Sequence, residues 1–459
     1  MTAGAHAFAA RIWQALDGPH DALAHLQITG TGALPSAFAV SDLAAGSVGA
    51  AALALAEVAG LAGPVTVDRR LASFWFAWSL RPEGWRMPDP WDPVAGDYET
   101  RDGWIRLHTN APHHRAAAER VLGPQIDRAG MARAVSGWAK GELEEAILAE
   151  GGCAAEMRGL ADWAAHPQGR AVAAEPLVHV GPSGGGTGSG WAPRPGRPLA
   201  GLRVLDLTRV LAGPVATRFL AGFGADVLRI DPPDWNEAPI EPEVTLGKTC
   251  ARLDLRQDAD RATFEALLAG ADVLVHGYRP GALDGLGYGA QARRALAPGL
   301  VEVCLDAYGW TGPWAGRRGF DSLVQMSTGI AQAGQVRQQA AKPVPLPVQA
   351  LDHATGYMMA AAVLRLLARR LSDGAGGAAR LSLARTAALL VEAGPAEPEP
   401  PCPAAGPEDL APVIEATAWG PARRLQAPVE VADAPMRWSR AARRLGEDAP
   451  AWAADGAGP

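Results

Sequence analysis

Two aspartates in the sequence stand in matching surroundings. Asp42 lies in VSDLAAGSVGAAALAL, which begins at Val40, and Asp352 in ALDHATGYMMAAAVLR, which begins at Ala350. Each is followed four residues on by a glycine, Gly46 and Gly356, and then by an Ala-rich helical run, at a common offset of 310 residues. An aspartate at a helix start commonly caps the first turn. The helix dipole also keeps such a carboxylate charged, and an ionised carboxylate is a nucleophile toward an acyl carbon. Both roles are open at this level. His353 adjoins Asp352 as an acid–base candidate, although adjacent side chains on a helix diverge and a surface histidine is the plainer expectation. Arg209 and Arg279 sit where strand-like runs end. Cations there are either solvated surface charges or partners for an anionic group.

These residues need elements to hold them. LRVLDLT at 202–208, ADVLRID at 225–231, DVLVHGY at 272–278 and LVEVCLDAY at 300–308 are short apolar runs with β-branched residues. Helical patterns lie between them, from about Pro214 to Phe223 and in ATFEALLAGA at 262–271. Strands alternating with helices predict an α/β fold with a doubly wound, Rossmann-like parallel sheet. Ligands then bind beyond the carboxyl ends of the strands. That gathers the loops at 208–214, 231–248, 277–281 and 308–313 around one crevice. No GxGxxG is present, so the usual dinucleotide fingerprint is missing.

The repeat continues past its helices, into the extended segments GPVTVDRRLAS at 63–73 and GGAARLSLARTAA at 376–388. An offset of this length is too long for a solenoid and predicts a partly duplicated domain. Gly, Ser and Pro dominate GPSGGGTGSGWAPRPGR at 181–197, which reads as a linker. The expected organisation is therefore a partial first copy at 1–180, holding an Asp-helix segment and a smaller α+β domain. A linker at 181–198, the Rossmann-like core at 199–393 and a C-terminal return segment at 394–459 follow.

Bulk properties exclude some classes. The chain has 459 residues, is 48% hydrophobic and 20% charged, and carries a formal net charge of −7. An acidic balance argues against nucleic acid as a partner, while a local basic pocket remains open. The four cysteines (Cys153, Cys250, Cys304 and Cys402) are scattered without metal-ligand spacing. That usage fits a reducing cytoplasm, with no metal site and no permanently bound cofactor. The first twenty residues lack a charged-then-apolar leader. The Ala-rich runs near 48–62 and 356–368 read as buried helices rather than membrane spans.

From 198 onward the residues resemble the family III CoA-transferases, of the formyl-CoA transferase and carnitine CoA-transferase type. The likeness runs through PLAGLRVLDLTRVLAGPVATRFLAGFGADVLRID at 198–231, GKTCARLDL at 247–255 and ADVLVHGYRPGALDGLGY at 271–288. It continues in AYGWTGPWAGRRGFDSLVQMSTGI at 307–330 and LDHATGYMMAAAVLRLLARR at 351–370. Five motifs stand in family order. The family's small domain, which normally follows the Asp-helix segment, has its look-alike upstream in GDYETRDGWIRLHTN at 96–110 and GCAAEMRGLADWAAHPQGRAVAAEPLVHV at 152–180. It is expected to pack beside the core, in cis or from a partner chain.

The resemblance implies an enzyme moving coenzyme A between an acyl-CoA thioester and a carboxylic acid through an aspartyl anhydride and an aspartyl-CoA. It implies Asp352 as nucleophile, with Asp42 its rival, and a homodimer, possibly interlocked. For coenzyme A it implies Arg209, Lys248, Arg279 and Tyr308, and a close backbone approach at the turn Ala212, Gly213 and Pro214. Asp321 reads as structural. Three positions depart from the family pattern. Leu211 stands where formyl-CoA transferase has a glutamine near the acyl group, Gly285 where many members have an arginine, and Phe320 where the racemase branch has the histidine of its acid–base pair. The alternatives are an acyl-CoA isomerase or racemase and a diverged, non-catalytic CoA-binding protein.

Overall fold

The apolar runs become strands in the computed structural model, which describes residues 3–181 and 190–453. The Gly/Ser-rich part of the expected linker, 182–189, lies outside the described residues. The chain opens with α1 (Ala3–Ala15), β1 (Leu26–Thr29), α2 (Val40–Val58), β2 (Val65–Asp68) and α3 (Arg69–Trp75). β1 and β2 pair in parallel with Leu26 opposite Val65. A short strand β3 (Leu80–Pro82) precedes β4 (Gly96–Thr100), β5 (Gly103–Leu107) and β6 (Ala154–Glu156), which form an antiparallel sheet. Its Tyr98, Ile105 and Leu107 close on Met131, Leu143 and Ile147, giving this unit its own core.

The main sheet takes seven strands. In chain order they and their helices are β7 (His179–Gly181), β8 (Arg203–Leu207), α4 (Ala212–Gly222), β9 (Asp226–Asp231), β10 (Lys248–Arg252), α5 (Asp258–Ala269), β11 (Val273–His276), α6 (Ala290–Leu296), β12 (Val301–Asp306), α7 (Asp321–Ser327), α8 (Ala350–Asp373), β13 (Gly377–Ser382) and α9 (Leu383–Glu392). The strand order is β10-β9-β8-β11-β12-β13-β7. The first six run parallel, as the alternating pattern predicts. The seventh departs from it, because β7 comes from before the linker and pairs antiparallel with β13, Val180 opposite Ala379. Both faces of the sheet are covered, which is why its strands are apolar throughout rather than alternating. Val204, Val227, Val273 and Val301 join the core shared with α4 and α8, and Leu205, Leu228 and Leu274 join Phe264 and Leu268 of α5.

The two halves of the sequence repeat meet in space. α8 packs against both α2 and α4, and α2 against α1. A side chain at Gly356 would put its Cβ 2.3 Å from the Ala212 carbonyl oxygen, and one at Gly46 would meet Phe8 Cβ at 2.6 Å and the Ala5 carbonyl oxygen at 2.8 Å. So α1 lies on α2 much as α4 lies on α8, each through the repeated glycine. α2 is the one helix among the described residues long and apolar enough to cross a membrane, yet 94% of that stretch is buried inside the fold. It is a core helix.

The last segment returns to the first. β14 (Leu410–Thr417) and β15 (Gly420–Leu425) form a sheet with β3, and β16 (Val429–Val431) adds antiparallel to β2. Beyond them Trp438 donates from Nε1 to the Arg218 carbonyl of α4 at 2.9 Å. The close helix crossings make a prediction. Gly356→Val forces α4 and α8 apart and costs about 1–3 kcal/mol, read as a lowered thermal midpoint, and Gly46→Val does the same at the α1–α2 crossing.

Candidate active site

α7 and α8 begin side by side. Asp321 is the first residue of α7, and Asp352 is the third of α8. The backbone N–H of Asp352 donates to Asp321 Oδ2 at 2.9 Å. Asp321 Oδ1 accepts from Gln325 Nε2, whose own Oε1 accepts from Leu346 N at 2.7 Å. Asp321 thus caps α8 from outside, which is the structural role read for it in the sequence. No side-chain capping bond is made by the residue preceding α8, and Asp352 is not consumed as a cap.

The Asp352 carboxyl faces a cavity of about 560 Å³. Burial raises its pKa well above the usual carboxylate range, and the neighbouring negative charge of Asp321 adds to the shift. Asp321 is itself pushed up to about 6 by burial. This departs from the expectation that the helix dipole keeps Asp352 charged. The dipole acts here against desolvation and a like charge, and those two prevail.

Two histidines line the same cavity. His353 stacks on Phe76 with ring centres 5.1 Å apart, and its Nδ1 has no partner. Burial holds it well below the usual histidine range, helped by the Arg218 charge. It is therefore a buried neutral imidazole rather than a surface histidine. His108, which follows β5, stacks on Phe320 at 3.7 Å. Burial pushes it down to about 3, with His114 and Arg106 adding to the effect. A histidine from the small unit therefore lies against the phenylalanine at the racemase-histidine position. Held neutral, it offers hydrogen bonding rather than a proton near neutral pH. Ser322 also lines the cavity, and its Oγ is buried without a partner.

The expected coenzyme A residues do not converge on one crevice. Lys248 is fully buried and bonded through Nζ to Asp206 Oδ2 at 2.9 Å and to the Pro214 carbonyl at 3.1 Å. Its ammonium is committed to the protein and offers no free charge to a phosphate. The turn Ala212, Gly213 and Pro214 is buried in α4. A Cβ at Gly213 would lie 2.3 Å from Thr208 Cβ, so the close approach made there is to the protein itself. Tyr308 is 1% exposed, with its hydroxyl 3.0 Å from Ser327 Oγ. It is a packing residue. Arg279 is exposed and lines a separate cavity of about 470 Å³ beside His276, Glu302 and Arg380. Gly285, near that second cavity, is exposed with open space around it.

Arg209 stands one layer behind the main cavity, its guanidinium stacked over Trp235 at 4.7 Å and over Tyr278 at 5.3 Å. Asp42, the rival aspartate, does not line the cavity. It accepts from Arg69 Nε at 2.7 Å, and Arg69 also pairs with Glu399 at 2.9 Å. The repeat has made one aspartate a buried ion-pair partner and left the other facing space. His108, Trp91 and Ser322 were not legible as site residues, since none sits in the repeat or in the loops expected at the crevice, and Trp235 lies in the 231–248 loop but was not singled out. Among the described residues, no group of His, Cys, Asp and Glu is arranged to hold a metal ion.

Residues 199–409 match the family model described as CoA-transferase family III. This stretch of the chain belongs to CoA-transferase family III. The family III core is 36% identical over 185 residues to an acetyl-coenzyme A transferase of Hypoxylon pulicicidum, covering 39% of this chain and 31% of that protein. It is 32% identical over 194 residues to a probable fatty acyl-CoA transferase of Mycobacterium tuberculosis, covering 39% of this chain and 49% of that protein. The solved structure of the mycobacterial protein aligns over 43% of this chain and 56% of that one, with a TM-score of 0.40. The chain thus spans between about a third and a half of the length of these curated relatives.

The reassignment of Lys248 is checked by stability. Lys248→Ala strands the buried Asp206 carboxylate and costs about 3–5 kcal/mol, while Arg279→Ala changes the unfolding midpoint little, by less than about 0.5 kcal/mol. Chemical denaturation of the two variants reads the difference.

Proposed function

We propose that this chain transfers coenzyme A between an acyl-CoA and a carboxylic acid, with Asp352 carrying the acyl group and then the coenzyme. The observation that carries the reading is the contrast between the two repeat aspartates. Asp352 faces a cavity of about 560 Å³ without a cation or cap on its carboxyl, whereas Asp42 is paired with Arg69. Membership of the core in CoA-transferase family III and its likeness to proteins named acetyl-coenzyme A and fatty acyl-CoA transferases support the coenzyme.

The chemistry proceeds by exchange at two carbonyls. The Asp352 carboxylate attacks the thioester carbonyl, the C–S bond breaks, and the coenzyme leaves as a thiolate, giving a mixed anhydride. The thiolate attacks the aspartyl carbonyl of that anhydride and releases the first acid as its carboxylate, leaving an aspartyl-CoA thioester. The incoming carboxylate attacks this thioester and expels the thiolate, forming a new anhydride. The thiolate then attacks the acyl carbonyl, yielding the new acyl-CoA and free Asp352. Each tetrahedral oxyanion needs a donor. Asp321 occupies the Asp352 N–H, so the donor comes from the cavity wall, where Ser322 Oγ and the Nδ1 atoms of His108 and His353 are unpartnered.

The raised carboxyl pKa has a kinetic sign. A carboxyl whose pKa is raised stays protonated at pH values where an ordinary aspartate is ionised, and only the anion attacks. The rate therefore rises with pH through an apparent pKa well above the usual value of about 4. Asp321→Asn removes the neighbouring charge, and the acid limb of kcat/KM moves to lower pH. A limb already near 4 in the unaltered protein contradicts the reading.

The covalent step is tested by incubating the protein with acyl-CoA and hydroxylamine. A hydroxamate at Asp352, detected by peptide mass spectrometry, is expected, together with a loss of turnover of at least about a thousandfold in Asp352→Ala. An unmodified Asp352 peptide with activity retained in Asp352→Ala overturns it.

A further inference from the structure

We infer that the cavity is built for an uncharged, hydrophobic or aromatic acyl group and excludes dicarboxylic acids. The inference rests on the transferase reading above and names the substrate class of that site. The wall carries Phe76, Trp78, Trp91, Leu211, Trp235 and Phe320, and among the described residues no lysine or arginine lines it. Two of the three positions singled out as departures, Leu211 and Phe320, fall in this cavity, and both present apolar side chains to it.

The charges around the space are negative or already satisfied. Asp89, Asp92 and Glu237 lie on the wall together with Asp321. The arginines behind it are already engaged, Arg229 by the wall carboxylate Glu237. Arg106 pairs with Asp97 at 2.7 Å and lies over Trp91, Arg115 pairs with Asp92 at 2.9 Å, Arg218 pairs with Glu243, and Arg209 is held between Trp235 and Tyr278. The two lining histidines are neutral. A second carboxylate on the acyl chain would enter a space that no lysine or arginine among the described residues lines, with Asp89 and Asp321 on its wall, and a charge without a partner there is disfavoured. Methylenes and aromatic rings instead displace water from indole and phenyl surfaces.

The full-length chain is assayed with one acyl-CoA donor and a panel of acceptors: butanoate, hexanoate, octanoate, phenylacetate, succinate and glutarate, with the new acyl-CoA measured by mass spectrometry. We expect kcat/KM to rise about fourfold per added methylene until the space is filled. Succinate should fall at least about a hundredfold below butanoate, and glutarate as far below hexanoate. Calorimetry with octanoate and glutarate on Asp352→Asn, which cannot turn over, separates the pocket from the reaction. Octanoate binding there without glutarate binding supports the inference even where no acid is turned over, and in that case only the transferase reading fails. Turnover that treats glutarate as well as hexanoate leaves the transferase reading intact and overturns the inference. Leu211→Arg gives an independent check. A cation in the wall should raise glutarate use and lower octanoate use, and a Leu211→Arg protein that folds but shifts neither overturns the assignment of this wall.

Discussion

The site depends on two carboxyl groups buried against each other at the starts of α7 and α8. Asp321 has one oxygen on the Asp352 N–H and the other on Gln325, so it is fixed in place as a cap. Asp352 is left without a compensating donor or cation, beside a fixed like charge. In an unfolded chain each carboxyl would lose its proton near pH 4. In the folded protein the loss is postponed, so folding stability declines as pH rises from about 4 through the raised pKa values. The arrangement is costly near neutral pH, and a carboxylate that gains by leaving its charged state is one that gains by forming an ester-like bond. Strain of this electrostatic kind concentrates where a protein works.

Building the cavity over this pair draws on distant parts of the chain. The core supplies Asp321, Asp352, Leu211 and Trp235, and the segment before the linker supplies Phe76, Trp78, Trp91 and His108. The antiparallel unit at β4–β6 reaches the core in cis, through a patch of Cys153 and Ala155 against Leu323 and Met326 of α7. The same helix whose first residue caps α8 is thus the one the small unit rests on. β7 then joins the main sheet, and the C-terminal strands close the N-terminal sheets, so both ends of the chain are tied to the middle.

Much of the core was legible. The strand runs are apolar because both sheet faces are covered, and each predicted strand appears within a residue or two of its expected bounds. The repeat was readable because Gly46 and Gly356 do the same work, letting a second helix lie directly on the first. The antiparallel β7 was not readable, since three residues beside a glycine-rich stretch carry no periodicity. Lys248 was expected at the coenzyme because the resemblance aligns it with a family lysine, and a sequence records its type but not its partners. Only the fold shows that Asp206 lies beneath it. His108 was hidden for the same reason: its stacking on Phe320 spans over two hundred residues and follows no local spacing.

The central claim is that Asp321 and Asp352 form a buried like-charged pair with displaced titration. Carbon-13 NMR of aspartate-labelled protein, followed from pH 4 to 9 and assigned with Asp321→Asn and Asp352→Asn, reads this directly. The account predicts that the pair loses its protons at pH values well above the ordinary aspartate range, with the first step near 6 or higher, and that Asp321→Asn brings the Asp352 titration down. Two carboxyl signals that both titrate near 4, unaffected by each other's removal, would contradict it.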